Sequence, residues 1–295
     1  MTTRVGVTVG ERLLPLGVTL LAVLVLWYAG TLWLNGPQAA EMLNRAGTDW
    51  GAMDFARRAF TMPRPLLPTP DQILVELHKS VTGYPLTNVR NLLYHAGVTA
   101  GAALTGLGLG VLLGIVLAAG IVHVKVLEHS LLPWVIASQT IPILAIAPMV
   151  VVILGNAGLT GLMPKALICM YLCFFPITVG MVKGLRAADP LWLDLMRTYS
   201  AGAATTFWKL RTPASLPYLF ASLKVSVAIS VVGAIVAELP TGGQAGIGTR
   251  LLSGSYYGQT IQIWSALVMA ALLSMALIGV VRVAETVVVR QAGAR

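Results

Sequence analysis

Long apolar runs separated by short polar knots set the pattern of this chain. The runs lie at Leu13–Leu34, Leu92–Val122, Leu131–Gly155, Leu159–Leu185, Pro217–Leu239 and Ile261–Val283. Each reaches roughly 20 residues or more, which at 1.5 Å per residue matches the ~30 Å hydrocarbon core of a bilayer. The pattern predicts an all-α, polytopic bundle of about six transmembrane helices. The first run is longer than the roughly 7–15-residue apolar region of a secretory signal, so it predicts an uncleaved anchor despite the small Ala39 and Ala40.

Two of the polar intervals carry patterns of their own. In the long interval 35–91, "RPLLPTPDQILVELHKSV" begins as proline-bound extended chain and then brings Ile73, Leu74, Leu77 and Val81 to helical spacing. That spacing predicts an amphipathic helix, lying on the membrane surface or packed on the outer ends of the bundle. In the interval 186–213, "AADPLWLDLMRTYSAG" offers Asp189 as N-cap and Pro190 as first helical residue. Trp192, Leu195, Met196 and Tyr199 follow at i, i+3, i+4 and i+7, while Asp194, Arg197, Thr198 and Ser200 lie off that stripe. A short amphipathic helix is expected, broken by "AGAA". "TTFWKL" then repeats the aromatic-plus-base character before Thr212–Pro213 caps the next helix. Such a segment suits a headgroup-level helix, and its Trp, Tyr and Arg equally suit a protein interface.

Composition agrees with the membrane reading: 57% of the 295 residues are hydrophobic, only 11% are charged, and the mean hydropathy is +0.81. A soluble domain carries about 25% charged residues. The net charge of +9 does not indicate nucleic acid, because the bases sit at the ends of apolar runs. Six spans place both termini on one side. With the termini inside, the cytoplasmic pieces hold Arg4, Arg12, Lys125, Lys183, Arg186, Arg197, Lys209, Arg211, Arg282, Arg290 and Arg295 against Glu11, Glu128, Asp189, Asp194 and Glu285. The outer interval 35–91 is nearly balanced. This asymmetry puts both termini and the Asp194 segment in the cytoplasm. The organisation expected is 1–90 as anchor (13–34) plus extracytoplasmic loop, 91–288 as the transmembrane domain with the loop 186–213, and 289–295 as a cytoplasmic tail.

Candidate chemistry is sparse. Cys169 and Cys173, four apart with no histidine nearby in sequence, read as small buried residues and not as a metal site. His78, His95, His123 and His129 read as interfacial residues near span ends. In the second span Gly97 and Gly101 form one small-xxx-small step and Gly106, Gly110 and Gly114 two more, which lets helices approach closely. No GxxxxGK[ST] occurs, so nucleotide chemistry would come from another subunit. Inside the spans, Lys224 can snorkel to the cytoplasmic surface. Glu238, at an outer end, faces the interface or lines an outer gate. Ser222, Ser226 and Ser230 form a hydroxyl stripe that suits helix packing or a wetted pore. Ser138, Gln139 and Thr140 precede Pro142, and a polar triplet beside a helix break commonly lines a cavity. An ATP-independent secondary transporter or channel is the rival reading. It predicts inverted repeats, which the chain does not display, and leaves Asp194–Pro213 without a purpose. Enzyme signatures such as HExxH and GxSxG are lacking.

The loop 186–213 resembles the EAA loop of ABC-importer permeases, E-A-A-x-x-x-G followed nine residues later by I-x-L-P. Asp194 stands at the Glu position, Leu195 and Met196 at the alanines, and Ser200 at the glycine. Leu210, Thr212 and Pro213 stand at the Ile, Leu and Pro. Ser200 is the costliest departure, because glycine permits a tight turn there; Gly202 is placed to take the turn over. "LLPTPDQILVEL", "PASLPYLFASLKV" and "AIVAELP" extend the resemblance to permeases of the nitrate/sulfonate/taurine type over roughly Leu66–Val288. The resemblance implies a type I ABC importer permease in the bacterial inner membrane. It implies two permease copies, a homodimer here, with two cytoplasmic ATPases holding the ATP and magnesium, and an extracytoplasmic solute-binding protein. This chain would bind no cofactor itself. Helix Asp189–Ala201 would be the coupling helix, with Asp189, Trp192, Asp194, Leu195, Met196, Arg197, Tyr199, Ser200, Gly202 and Pro213 meeting the ATPase. The resemblance implies as solute a sulfonate-, taurine- or nitrate-type anion or a pyrimidine or vitamin precursor, and the absence of an obvious intramembrane arginine tilts the expectation toward a neutral or aromatic compound such as the pyrimidine precursor.

Overall fold

A computed structural model describes residues 9–47, 49–240 and 245–291, with side chains placed between 14 and 290. The expectations placed on Arg4, Glu11, Arg12 and the last four residues lie outside that description. In chain order the helices are α1 (Val9–Arg45), α2 (Ala52–Phe60), α3 (Pro70–Thr82), α4 (Leu92–His123), α5 (Lys125–Ser138), α6 (Ile143–Asn156), α7 (Leu162–Arg186), α8 (Pro190–Thr198), α9 (Ala203–Thr206), α10 (Thr212–Glu238), α11 (Ile247–Tyr256) and α12 (Thr260–Gln291). Among the described residues, five helical stretches are long and apolar enough to cross a membrane. The pair α5 and α6, bent by 98°, makes a sixth if counted as one span. The all-helical class is thus as expected, but the third span is not the single helix expected at Leu131–Gly155. Pro142 lacks an N–H and holds its own backbone extended, at φ −68° and ψ 115°, so the helix stops after Ser138 and restarts at Ile143.

The chain divides into two compact units, 1–80 with 253–265 and 81–252 with 266–295. In the first, α1 runs 37 residues, about 55 Å, well beyond a bilayer core. Its C-terminal part carries α2 through Asn35, which is wholly buried. The Asn35 amide donates to the carbonyls of Ala59 and Leu67, and its oxygen accepts from the N–H groups of Leu66 and Leu67 at 2.9 and 3.1 Å. Met62, Ala59 and Ala39 pack beside it. On α3, Ile73 is buried while Leu74 is exposed. The four apolar residues read as one stripe therefore do not share one buried face.

In the second unit α7 is the central helix. Along its length α4 lies parallel to it and α10 antiparallel. The parallel approach is set by glycine: a Cβ on Gly106, Gly110 or Gly114 would meet Cys169, Cys173 or Ile177 at 2.2–2.8 Å. Gly97 and Gly101 have nothing within 4 Å, so two of the three expected glycine steps lie at an interface and the Gly97–Gly101 step does not. On the other side of α7, Gly180 and Gly184 receive Ser222 and Ser215 of α10. The thiols of Cys169 and Cys173, both buried and free, lie against the carbonyls of Ser230 and Ser226. Helix α12 runs antiparallel to α10, with Leu277 and Val281 against Val227. Its C-terminal end therefore lies at the same end of the core as the start of α10. Glu128 near the start of α5 pairs with Arg186 at the end of α7 at 2.9 Å, whereas α7 begins at the opposite end of the core. The bent α5–α6 pair accordingly makes one full crossing between them.

Candidate functional site

At the end of the core where α7 finishes and α10 starts, the chain leaves and re-enters through α8 and α9. The Asp189 side chain accepts from the Leu191 N–H at 2.9 Å with Pro190 behind it, the N-terminal arrangement expected from the sequence. No residue of α8 is buried. Leu191, Trp192, Leu195 and Tyr199, the last 77% exposed, point away from the rest of the chain, and Met196 is partly covered. Asp194 accepts from Arg197 at 2.7 Å, one turn apart and fully in the open. Ser200 has φ +49°, the left-handed region. The turn therefore stays at the position where the EAA pattern has glycine, and Gly202, extended at φ −64° and ψ 162°, does not take it over. Serine fits there because its short side chain tolerates the left-handed basin better than a branched one.

The re-entry also differs from expectation. Thr212 does not cap a new helix. From Ala203 the backbone is helical into α10, widening to a π turn over Phe207–Arg211 in which the Thr212 hydroxyl donates to the Phe207 carbonyl. The cause is Pro213, whose ring would strike the carbonyl four residues back in a regular helix and which has no N–H to offer it. Extra width in the preceding turn relieves that clash. The π turn ties the loop to the core. The Phe207 ring stands edge-on to His123 of α4 at 5.0 Å, and Arg211 donates to the Leu185 carbonyl of α7. His123 is thus a ring partner for the loop, which its place at a span end alone did not reveal.

At the opposite end of the core lies a polar knot that the sequence reading missed. Glu238 is 0% exposed, facing neither an interface nor a channel in this chain. Its carboxylate accepts from the Thr99 hydroxyl at 2.9 Å and from the Gly248 N–H at 2.8 Å, and the Lys165 ammonium stands 3.9 Å away. Thr99 also accepts from the Ile247 N–H, and His95 Nδ1 accepts from the Gly246 N–H, both at 2.9 Å. Three successive amides leading into α11 are therefore held by three side chains from α4 and α10. Glycine is required at 246 and 248: a Cβ would lie 2.2 Å from the Glu238 carboxyl carbon and 2.4 Å from the Ile235 carbonyl oxygen. His95, 1% exposed, is a buried knot residue and not an interfacial one. Lys165 stood in the first turn of its span as the charge that answers Glu238.

The expected pathway residues separate into two groups. Ser226 and Ser230 are buried against α7, with the Ser230 hydroxyl bonded to Val227 in its own helix, and Ser222 bonds to Tyr218. The hydroxyl stripe packs helices. Gln139 and Thr140, by contrast, are exposed at the α5–α6 corner. The Tyr171 hydroxyl donates to the Ser138 carbonyl, fixing the corner nine residues, about 13 Å, below the start of α7. A helix broken at membrane depth with polar groups in the open is a recurrent way of lining a solute path. Lys224 does not snorkel: its ammonium lies 2.5 Å from the Glu285 carboxylate on α12.

Residues 110–292, more than half of the chain, match the family of binding-protein-dependent transport system inner membrane components. A probable ABC transporter permease protein of Haemophilus influenzae is 29% identical over 217 residues, covering 74% of this chain and 83% of that protein. The formylaminopyrimidine transport permease protein ThiX of Halalkalibacterium halodurans is 31% identical over 59% of this chain and 65% of its own length. The putative aliphatic sulfonates transport permease protein SsuC of Bacillus subtilis is 26% identical over 75% of this chain and 76% of that protein. By that match the chain belongs to the binding-protein-dependent ABC transporter permeases of the inner membrane, a multi-pass transport component that is not itself an ATPase.

Proposed function

We propose that this chain is one of two identical permease copies in an ATP-driven importer, and that α8 with its following turn is the seat of a cytoplasmic ATPase. The observation that carries this reading is that α8 buries nothing of its own, while both its flanks are fixed to the tightly packed α4–α7–α10 core. A helix that only lay in the headgroups would need no such anchorage. The C-terminal end of α12 then lies on the ATPase side, an even number of spans, six, returns the chain to the side on which it starts, and 91–288 works as the transport domain. Relatives bear the names of formylaminopyrimidine, riboflavin and aliphatic sulfonate permeases. Lys165 and Lys224 are each matched by a carboxylate, whereas Lys183 and Arg282 are exposed. The solute is a small polar compound of the kinds those names give, delivered by a binding protein on the other side.

The Asp194–Arg197 pair is exposed, so breaking it costs well under about 1 kcal/mol of folding stability. Seated in a partner's groove, an unmatched charge costs about 2–5 kcal/mol of docking. Asp194→Lys, and separately Tyr199→Ala, are expected to insert normally yet lose the ATPase on co-purification, or to uncouple its hydrolysis from uptake in liposomes. Full association and full coupling in both variants would sink the assignment.

A further inference from the structure

Beside the α5–α6 corner lies a cavity of about 260 Å³ whose two walls come from α6 and α7. Ile143, Ile146, Val150 and Ile153 fall at i, i+3, i+7 and i+10 along its α6 wall, and Tyr171 is the lining residue deepest along α7. The lining carries no charge, and α6 has none along its length. On α7, Lys165 is matched by Glu238 of α10 at 3.9 Å, and Lys183 lies 12 residues, about 18 Å, beyond Tyr171. The exposed Arg282 belongs to α12, which contributes nothing to the lining.

The deep end is polar. Tyr171 donates its hydroxyl to the Ser138 carbonyl, which holds the corner against that wall. Gln139 and Thr140 follow and are exposed. The Thr140 hydroxyl is spent on the Ala137 carbonyl at 2.7 Å. Gln139 donates one N–H to the Ser138 hydroxyl at 3.3 Å, which leaves its amide a second N–H and an oxygen. A lipid tail in the cavity would have the wrong polarity, since its methyl end would meet that amide and hydrocarbon offers an amide no partner.

We propose that this cavity is a solute subsite of the translocation path, taking an uncharged planar compound of one ring or two fused rings. The apolar body lies between α6 and α7, and an amide-like edge pairs with Gln139. The inference rests on the importer reading above and deepens it to a solute class. An apolar cavity of about 150 Å³ takes benzene, so this larger one suits a ring compound below drug size. The Gln139 amide presents a donor and an acceptor side by side, which a lactam edge answers with both. An anion fits badly, because neither the walls nor the corner residues Ser138, Gln139 and Thr140 carry a positive charge.

Cysteine protection tests this in the complex reconstituted in liposomes. The native Cys169 and Cys173 are buried and leave the background low. Ile146→Cys and, at an exposed lining position, Ile153→Cys are each reacted with N-ethylmaleimide, which is small and uncharged. Three two-ring probes compete: 2-quinolone with a lactam edge, naphthalene with none, and 2-naphthalenesulfonate with a negative charge. Both uncharged probes are expected to slow labelling, and the sulfonate is not. Gln139→Leu, at an exposed site, should raise the half-protecting concentration of 2-quinolone about ten-fold, the worth of one or two hydrogen bonds, and leave that of naphthalene unchanged. The proposal is overturned if neither cysteine reacts, which is the outcome if a second permease copy or lipid seals the cavity. It is equally overturned if 2-quinolone gives no protection or the sulfonate protects as well. It also falls if Gln139→Leu shifts neither uncharged probe or both alike, the outcome for a crevice that only holds lipid tails. Labelling needs no ATPase, so failed protection leaves the coupling assignment standing, and an α8 variant that loses the ATPase leaves the protection pattern unchanged.

Discussion

Removing either charge of the Lys165–Glu238 knot should cost far more than removing both. At 3.9 Å the pair interacts by about 4 kcal/mol at an effective dielectric near 20. Lys165→Met takes the ammonium away from a carboxylate that is closed to solvent and keeps its bonds to Thr99 and the Gly248 N–H. Glu238→Gln keeps an acceptor for Gly248 and strands the ammonium, which retains the Ala245 carbonyl at 3.4 Å. Each single change falls among broken buried pairs, about 3–5 kcal/mol. The double variant has no charge to strand, keeps the carbonyl of the introduced glutamine on the Gly248 N–H, and should cost only about 1–2 kcal/mol. The double variant should therefore fall short of the summed single costs by about 4 kcal/mol or more, a negative interaction energy. The assay is a double-mutant cycle on denaturant unfolding in mixed micelles. Additivity of the three variants within about 0.5 kcal/mol would show that the ammonium does not sense the carboxylate, and the reasoning would be wrong.

Two further perturbations bear on single turns. Ser200→Gly relieves a left-handed serine but frees the unfolded chain, so stability should rise by no more than about 0.5 kcal/mol, whereas Ser200→Val should cost about 1–2 kcal/mol locally. Hydrogen exchange at the Ser200 and Ala201 amides, bonded to Arg197 and Met196, reads the difference. Asn35→Leu leaves the amides of Leu66 and Leu67 and the Ala59 carbonyl without their partner, at about 3 kcal/mol or more in total. Faster proteolysis in 46–69 and an altered Trp27 emission should report it, since Trp27 Nε1 donates to the Pro68 carbonyl next to that staple.

What could be read ahead of the structure was whatever depends on neighbours in sequence. The Asp189–Pro190 start, the α8 stripe and the long spans follow from helical periodicity and N-cap chemistry, which are local. The broken third span was half legible: "SQTIP" marked a polar break, but only the backbone shows that Pro142 turns the chain by nearly a right angle. The knot was illegible. His95, Thr99, Lys165 and Glu238 are spread over more than a hundred residues, and no pattern in one sequence tells an enclosed histidine from an interfacial one. Lys224 misled for the same reason. Its partner Glu285 lies on another helix, and a lone lysine two turns or more inside a span reads as a snorkelling one.

The glycines of α4 are a case where the sequence says more than a motif count does, in a form that can be measured. Gly97–Gly101 and Gly106–Gly110–Gly114 each carry four-residue spacing, but the five-residue step from Gly101 to Gly106 turns the second set about 140° round the helix, so the two sets lie on different faces. They differ accordingly in what stands opposite. A Cβ on Gly106 would lie 2.2 Å from the Cys169 Cβ and 2.5 Å from the Ala166 carbonyl oxygen, atoms fixed to the α7 backbone that cannot swing aside. Gly106→Ala must therefore part α4 from α7 by about an ångström, losing dispersion along the whole seam. The cost should be about 3 kcal/mol, the upper range for an overpacked site. Gly101→Ala meets nothing within 4 Å and exchanges a poor helix former for the best one, so it should be neutral or stabilising by up to about 1 kcal/mol. Thermal midpoints of the two variants in one detergent, measured side by side, separate them. The parallel seam drawn here is wrong if Gly106→Ala unfolds no earlier than Gly101→Ala.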